Sequence, residues 1–381
     1  MVTAYKHFSS TWQSYFKKVK VAYSYKTNSL KGITQALRQQ GATAEVVSGT
    51  ELTWAIEDGF APREIFFDGP VKTVQELLLA LKNHVVIQID SLDELHLLTD
   101  LFHEIAIKPR LSLRLATRYH DKGLSRFGLL AEEYWKAIHF VQKNNMIFEG
   151  IHLHVGSNVN DVKKYTRELV TYMPIIKHHI RLFGPSIFID IGGGFPAKSL
   201  GKNIALTPLA HYAKAIKQCL SKYFIDIDEI TLVTEPGRSL VEDHGYLVTR
   251  VMVQKKRKDN NIVVVDGGMH LVRSLHTWYH PVLFSPAYQS KSKKKATHTY
   301  TVYGANCFES DILAEEIKAH YPVQISDLVI LGSAGGYDIP SANVWTRPAP
   351  AIYGIYRKKL ILLRHDQKIE TVREHHENIL F

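Results

Sequence analysis

The sequence predicts an α/β protein: a (β/α)8 TIM-like barrel followed by a C-terminal β-sheet/β-barrel domain. Three observations carry this expectation. Eight short β-rich runs recur over about 230 residues with amphipathic helical stretches between them, close to the roughly 250 residues of one barrel. Beyond Leu240 the strand-like runs continue while the helical stretches nearly stop. Glycines and charged residues also gather just after the β-rich runs, at the strand ends where barrels place their functional groups.

The eight runs are VKVAYSYK from Val19, ATAEVVS from Ala42, EIFFDG from Glu64, HVVIQID from His84, KPRLSLRLA from Lys108, EGIHLHV from Glu149, SIFIDIG from Ser186 and EITLVTEP from Glu229. Apolar residues at helical spacing separate them in SLKGITQALRQQ, TVQELLLALKN, SLDELHLLTDLFHEI, EEYWKAIHFVQKN and LAHYAKAIKQCLSKYF. Alternating βα units also suit a doubly wound sheet, so the count alone leaves that alternative open. From about residue 241, YLVTRVMVQ, NIVVVDGG, THTYTVYG, DLVILG and YGIYRKKLILLR read as strands, with one short helix expected at DILAEEIKAH. The expected division is a barrel over 1–240 and a β domain over 241–381.

Composition bounds the function. A chain of 381 residues with 45% hydrophobic and 22% charged content is that of a globular protein with a large core. The N-terminal stretch MVTAYKHFSSTWQSYFKK has no continuous apolar segment, and no later run reaches the roughly 18 apolar residues of a membrane span, so a cytoplasmic protein without a membrane partner is expected. Two cysteines, Cys219 and Cys307, stand far apart and argue against a disulfide framework or a thiolate metal site. The net charge of +10 includes clusters at Lys255, Lys256, Arg257, Lys258 and at Lys291, Lys293, Lys294, Lys295. No interleaved aromatics or nucleic-acid motif accompany them, so they read as solvated loops.

Lys26 closes the first run, His154 the sixth, Gly192, Gly193 and Gly194 follow the seventh, and Glu235 and Arg238 follow the eighth. One barrel rim would collect them. Taken singly, Lys26 is a rim charge, Glu235 a surface carboxylate, and His152 or His154 a core histidine. Together they supply an amine, an aromatic face, a carboxylate and an anion cradle. The glycine run lets backbone N–H groups approach an anion, Arg238 offers a charged fork, and Ser157 a hydroxyl. Strands seven and eight are where barrels commonly hold phosphate.

In their order YxxK, HVGS, GGGFP, EPGR, a Cys-plus-Asp motif and a late tyrosine, these segments resemble the fold-type III pyridoxal-phosphate decarboxylases, the family of ornithine and diaminopimelate decarboxylases, over about Val19 to Pro350. The stretches EVVSGTEL, FFDGPVKT, DSLDEL and VVVDGGM resemble the diaminopimelate decarboxylase branch. The resemblance implies pyridoxal 5′-phosphate as cofactor, an alanine racemase/ornithine decarboxylase-like fold and an amino-acid substrate. It also implies a homodimer with shared active sites. Lys26 would form the aldimine, His154 would stack on the ring, and Glu235 would contact the pyridinium nitrogen and stabilise the quinonoid. Ser157, Gly193, Gly194, Arg238 and Tyr337 would hold the phosphate, and Cys307 of the partner protomer would protonate Cα. Asp266, Phe308, Glu309 and Asp311 are the candidate substrate contacts.

Three departures from the pattern stand out. Phe308 follows Cys307 where diaminopimelate decarboxylases carry Glu and ornithine decarboxylases Asp to read the distal end of the substrate. Glu45 replaces a common Asp, and HTWYHPVLF replaces an Arg-Pro segment. The lead-in before the first strand is also short, which questions the N-terminal strand that normally joins the β domain. Either Glu309 takes over the distal role for a diamino acid, or, with the positive charge, these changes point to a carboxylate-rich derivative, such as a citryl-diamino acid in siderophore biosynthesis. The alternatives are a diaminopimelate, ornithine or lysine decarboxylase of primary metabolism, a non-catalytic binding module, and a racemase, against which Glu235 speaks.

Overall fold

A computed structural model describes residues 1–118, 123–184, 186–224, 227–258, 260–287 and 297–374. The chain divides into two compact units, one of residues 1–197 and 205–240, the other of residues 198–204 and 241–381. The division falls near Leu240, and a seven-residue excursion of the first stretch joins the second unit.

In the first unit, helix α1 (Val2–Gln13) precedes strand β1 (Lys18–Ser24). There follow α2 (Lys31–Arg38), β2 (Thr43–Val46), α3 (Gly49–Glu57), β3 (Ile65–Phe67), α4 (Val74–Lys82), β4 (Val86–Ile89), α5 (Leu92–Ile105) and β5 (Arg110–Leu115). Then come α6 (Ala131–Lys143), β6 (Ile147–Leu153), α7 (Val162–Phe183), β7 (Phe188–Asp190), α8 (Leu209–Ser221) and β8 (Thr231–Thr234). All eight expected runs form strands, and they close into a parallel barrel through the β1–β8 pairing, Lys18 to Thr231 and Val21 to Thr234.

The helices start where their caps dictate. Thr73 and Glu76 exchange hydrogen bonds in a capping box at α4, and the Ser48 and Ser91 hydroxyls accept from the N3 amides of α3 and α5. The short lead-in before β1 forms α1 rather than a strand. Tyr5, Phe8 and Trp12 bury its apolar side, and Phe8 and Trp12 meet Phe195 at ring distances of 5.1 and 5.8 Å. That packing anchors the segment just after the glycine run.

Inside the barrel an apolar plug of Ala22, Phe66, Val86, Phe188 and Val233 contains an edge-to-face pair, Phe66 and Phe188, 5.3 Å apart. Polar side chains, among them Glu45, Gln88, Arg114, His152 and Asp190, are buried further along the same strands toward their C-terminal ends.

The second unit holds a six-stranded sheet in the order β11 (Val282–Ser285), β14 (Leu328–Leu331), β9 (Leu247–Arg257), β10 (Asn260–Val265), β12 (His298–Tyr303) and β13 (Ile312–Ala319). A separate ribbon pairs β15 (Ile352–Tyr356) with β16 (Lys359–Arg364). The core of the sheet is Val251, Val263, Val265, Val302, Val329 and Leu331 with their neighbours. The helix expected at DILAEEIKAH is instead strand β13. Its Ala, Glu and Lys residues favour a helix, but antiparallel pairing with β12, from His298–Ala319 to Tyr303–Ile312, satisfies its backbone and buries Leu313 and Ala319. Local propensity loses to the tertiary partner. Of the two basic clusters, Lys255, Lys256 and Arg257 lie on an exposed end of β9 with Lys258 following, while Lys291, Lys293, Lys294 and Lys295 lie outside the described residues. Among the described residues, no helix is long and apolar enough to cross a membrane.

Candidate active site

Lys26 sits in the single 3-10 turn Tyr25–Thr27 that follows β1, its side chain one-third exposed. Its Nζ lies 2.5 Å from Oε1 of Glu45, on β2, whose side chain is fully buried. Burial pushes the Glu45 carboxyl up and the Lys26 charge pulls it down, leaving it at about 7. Glu45 therefore both fixes the amine in place and can take up a proton near neutrality.

Glu235 follows β8 and is buried. Its Oε1 accepts from Gln88 Nε2 on β4 at 3.3 Å. Its Oε2 is buried without a hydrogen bond, 3.3 Å from His152 Nε2 and 3.9 Å from His154 Nδ1. Against the penalty of burial, the neighbouring His152 holds the Glu235 carboxyl down at about 2, so it is an anion throughout the physiological range. His154 is half-buried, and its Nδ1 accepts from the backbone N–H of Gly193 at 3.2 Å. An acceptor nitrogen carries no proton. Burial and then the Arg114 charge push this imidazole well below its usual value, so it is a neutral ring.

The glycine run is strapped between the exits of β6 and β8. Glu235 N–H donates to Gly192 O at 2.9 Å, Val159 N–H to Gly194 O at 2.7 Å, and the Tyr165 hydroxyl to Gly193 O at 2.8 Å. A Cβ on Gly193 would stand 2.2 Å from Glu235 O, and one on Gly194, where φ is +87°, 2.2 Å from Gly156 O. Only glycine fits either position. Arg238, almost wholly buried, begins a single helical turn directly after this rim, and Ser157 is exposed after Gly156.

Beneath these groups lies a polar network for which the sequence reading assigned no role. Arg114 on β5 donates to both oxygens of Asp68 at 2.7 and 3.0 Å and approaches Asp90 at 3.7 Å. Against burial, the Arg114 guanidinium holds Asp68 well below the usual carboxylate range. Asp190 accepts from Gln88 Nε2 at 2.9 Å. A signal for the network exists in the sequence: a parallel strand covered on both faces is normally continuous in apolar residues. Glu45 in TAEV, Gln88 in VIQI, Arg114 in RLSLRL and Asp190 in FID each interrupt such a strand.

Arg114→Met leaves Asp68 as an uncompensated buried charge and is expected to lower stability by about 3 to 5 kcal/mol at pH 7. The Asp68 carboxyl is depressed, so the pair's contribution is complete above the ordinary value of 3.8 and is lost as pH falls below it. Urea titrations should therefore show the difference between the two proteins shrinking as pH falls below about 4.

The other predicted site residues belong to the second unit. Cys307 is a free, exposed thiol. Phe308 is 46% exposed and its ring lies 5.5 Å from that of Trp345. Glu309 is exposed. Asp311 is buried, and its oxygens accept from Met269 N, Asn306 N and Asn306 Nδ2 at 2.7 to 2.8 Å, which shapes the loop carrying Cys307. Asp266 accepts from Arg250 N at 2.8 Å. Tyr337 adopts a left-handed φ of +68° and caps a turn at Asp338–Ser341.

The barrel rim fits a pyridoxal cofactor. An accessible amine is held by a carboxylate, a second carboxylate is buried as an anion, a neutral imidazole lies beside it, a cradle that any Cβ would fill follows β7, and a buried arginine follows β8. Residues 4–242 match the family model described as the pyridoxal binding domain of pyridoxal-dependent decarboxylases. The diaminopimelate decarboxylase of Aquifex aeolicus is 27% identical over 94% of this chain and 86% of its own length. That of Archaeoglobus fulgidus is 30% identical over 84% and 78%. The crystal structure of Methanocaldococcus jannaschii diaminopimelate decarboxylase in complex with L-lysine superposes with a TM-score of 0.84, at 25% identity over 96% of this chain and 86% of that one. The cofactor is pyridoxal phosphate and the chemistry is amino-acid decarboxylation: the chain belongs to the pyridoxal-dependent decarboxylase family of fold-type III.

Proposed function

We propose that this carboxy-lyase acts on diaminopimelate, releasing CO2 in primary metabolism. The observation that carries the catalytic part is the buried Glu235 carboxylate, anionic beside His152, on the same rim as Lys26 and the glycine cradle. Diaminopimelate as the substrate rests on the relatives, several of which are diaminopimelate decarboxylases matched over most of their length.

Pyridoxal phosphate, when bound, supplies an electron sink for the electron pair left on Cα by departing CO2. This chain's residues orient and charge that sink. Glu235 Oε2 would accept a hydrogen bond from a protonated ring nitrogen and hold that proton in place. The neutral His154 ring offers a flat face, and the Gly194 N–H with Arg238 and Ser157 would receive the phosphate. Lys26 Nζ is the anchoring amine, and Glu45 accepts the proton that this amine must shed before it can act as a nucleophile. We assign Cys307 of a second copy of this chain, an exposed thiol, as the acid that returns a proton to Cα. Asp266, Phe308 and Glu309 are the side chains we place toward the substrate.

We further propose a cytosolic homodimer. The β15–β16 ribbon exposes Tyr353, Ile355, Tyr356 and Leu360, an apolar surface suited to a second copy, and the unpaired thiols fit a reducing compartment.

One observation favours a second reading. Phe308, just after Cys307, and Trp345 form an exposed aromatic pair, and neither offers a carboxylate to a distal ammonium. A conjugated or carboxylate-bearing amino acid would suit that pair, although the relatives give the siderophore role no support. CO2 release measured across meso-diaminopimelate, L-ornithine, L-lysine, L-arginine and a citryl-diamino acid separates the readings. Meso-diaminopimelate is expected to lead by at least about tenfold in kcat/KM. Preference for the citryl compound would reverse the assignment.

A further inference from the structure

Asp190 ends β7 and is wholly buried. Its Oδ1 accepts from Gly192 N–H at 2.8 Å and its Oδ2 from Gln88 Nε2 at 2.9 Å. The same Gln88 nitrogen donates to Glu235 Oε1 at 3.3 Å. One amide nitrogen thus donates to two buried carboxyls and brings them together around it. Two ionised carboxylates only accept, so a hydrogen bond between them requires a proton on one. Like charges this close in a dry interior do not both ionise.

The surroundings decide which group keeps the proton. Glu235 faces His152 at 3.3 Å and His154 at 3.9 Å, and it feels the Lys26 charge. Asp190 receives hydrogen bonds from neutral donors only, Gly192 and Gln88, while Glu235 and Asp68 add negative charge around it. Glu45 and Asp68 on β2 and after β3, and Arg114 on β5, complete the charged groups packed against the pair. Burial and then the Glu235 charge push the Asp190 carboxyl well above its usual value.

We propose that Asp190 is a positioning residue that carries a proton and donates a hydrogen bond to Glu235, clamping that carboxylate together with Gln88 so that Oε2 is held for the cofactor ring. The inference rests on the reading of Glu235 as the ring-nitrogen carboxylate.

Infrared difference spectra of the cofactor-free full-length chain at pH 7 test the proton directly. Wild type minus Asp190→Asn is expected to show the carbonyl stretch of a neutral carboxylic acid, shifted by [13C]aspartate labelling and unmoved by [13C]glutamate. An ionised-carboxylate band in its place overturns the proposal. In the cofactor-loaded enzyme Asp190→Asn keeps a donor and is expected to retain kcat within about threefold. Asp190→Leu removes the donor, and it is expected to lower kcat about 30-fold with KM within about twofold, and to make the cofactor absorbance depend on pH between about 6 and 8. Equal impairment of the two variants would reduce Asp190 to a packing residue and end the proposal. Should neither fold, Gln88→Leu serves: the acid band must move when its amide donor is lost, and an unmoved band refutes the clamp. If Glu235→Gln leaves the absorbance and turnover of the loaded enzyme unchanged, the ring-nitrogen reading fails while the acid band on Asp190 still appears, so the two failures are distinguishable.

Discussion

Lys26→Ala is expected to abolish turnover, lowering kcat by roughly four to six orders of magnitude, the scale of removing a covalent nucleophile from a site whose parts act together. CO2 release from meso-diaminopimelate measures the loss. Borohydride reduction followed by mass spectrometry should attach the cofactor to the wild-type peptide containing Lys26 and to no peptide of the variant. The substitution also removes the counter-charge of Glu45, which gives a second readout. In wild type the Glu45 carboxyl is raised by burial to about 7 from an ordinary value of 4.5. A raised carboxyl stabilises the fold below its unfolded value and loses that contribution as pH climbs through the folded one. Wild-type stability should therefore fall between about pH 4.5 and 7 on account of this group. Without Lys26 the carboxyl rises further, and the loss extends to more alkaline pH. The melting temperature of the variant should trail wild type more at pH 8 than at pH 5. An equal gap at both would mean that Glu45 and Lys26 are not electrostatically coupled.

Glu235→Gln carries the second largest expected effect, a fall in kcat of about 10²- to 10³-fold, the magnitude seen when a preorganised charge contact is removed from a buried site. Glutamine keeps the shape and the Gln88 contact on one side, but it brings no negative charge and presents an N–H where a protonated ring nitrogen needs an acceptor. Because His152 holds the wild-type carboxyl at about 2, its charge is constant across the working range, and the deficit of the variant should be independent of pH from about 5 to 9. Steady-state kinetics with the cofactor at full occupancy, checked by absorbance, separates this from a binding defect. A variant that recovers wild-type kcat at saturating cofactor would assign Glu235 to cofactor affinity alone.

These expectations rest on residues of two kinds. Lys26, His154, Glu235, Arg238 and the glycine run were legible in the sequence because each stands at the end of a β-rich run, and eight parallel runs closed into a barrel must bring such ends to one rim. The strand positions could be read as well, since β-branched and apolar residues of period two or in continuous runs have few other uses between amphipathic helices. Helix α1 and strand β13 were not legible. What α1 packs against, Phe195 in particular, and what β13 pairs with, strand β12, both lie far away in sequence.

The sequence by itself therefore determined the barrel rim and the groups that end its strands, and the resemblance of its ordered motifs to a known family implied the cofactor and the loss of CO2. Only the tertiary structure decided how the groups are charged: Glu45 seated against Lys26, Arg114 spanning Asp68 and Asp90, and one Gln88 amide shared by Asp190 and Glu235. These partners come from different strands, and their protonation depends on burial and on separations of a few ångströms. Periodicity and motif spacing carry no record of those separations, since a carboxylate in a strand reads the same whether its neighbour across the barrel is an amide, an imidazole or a second acid.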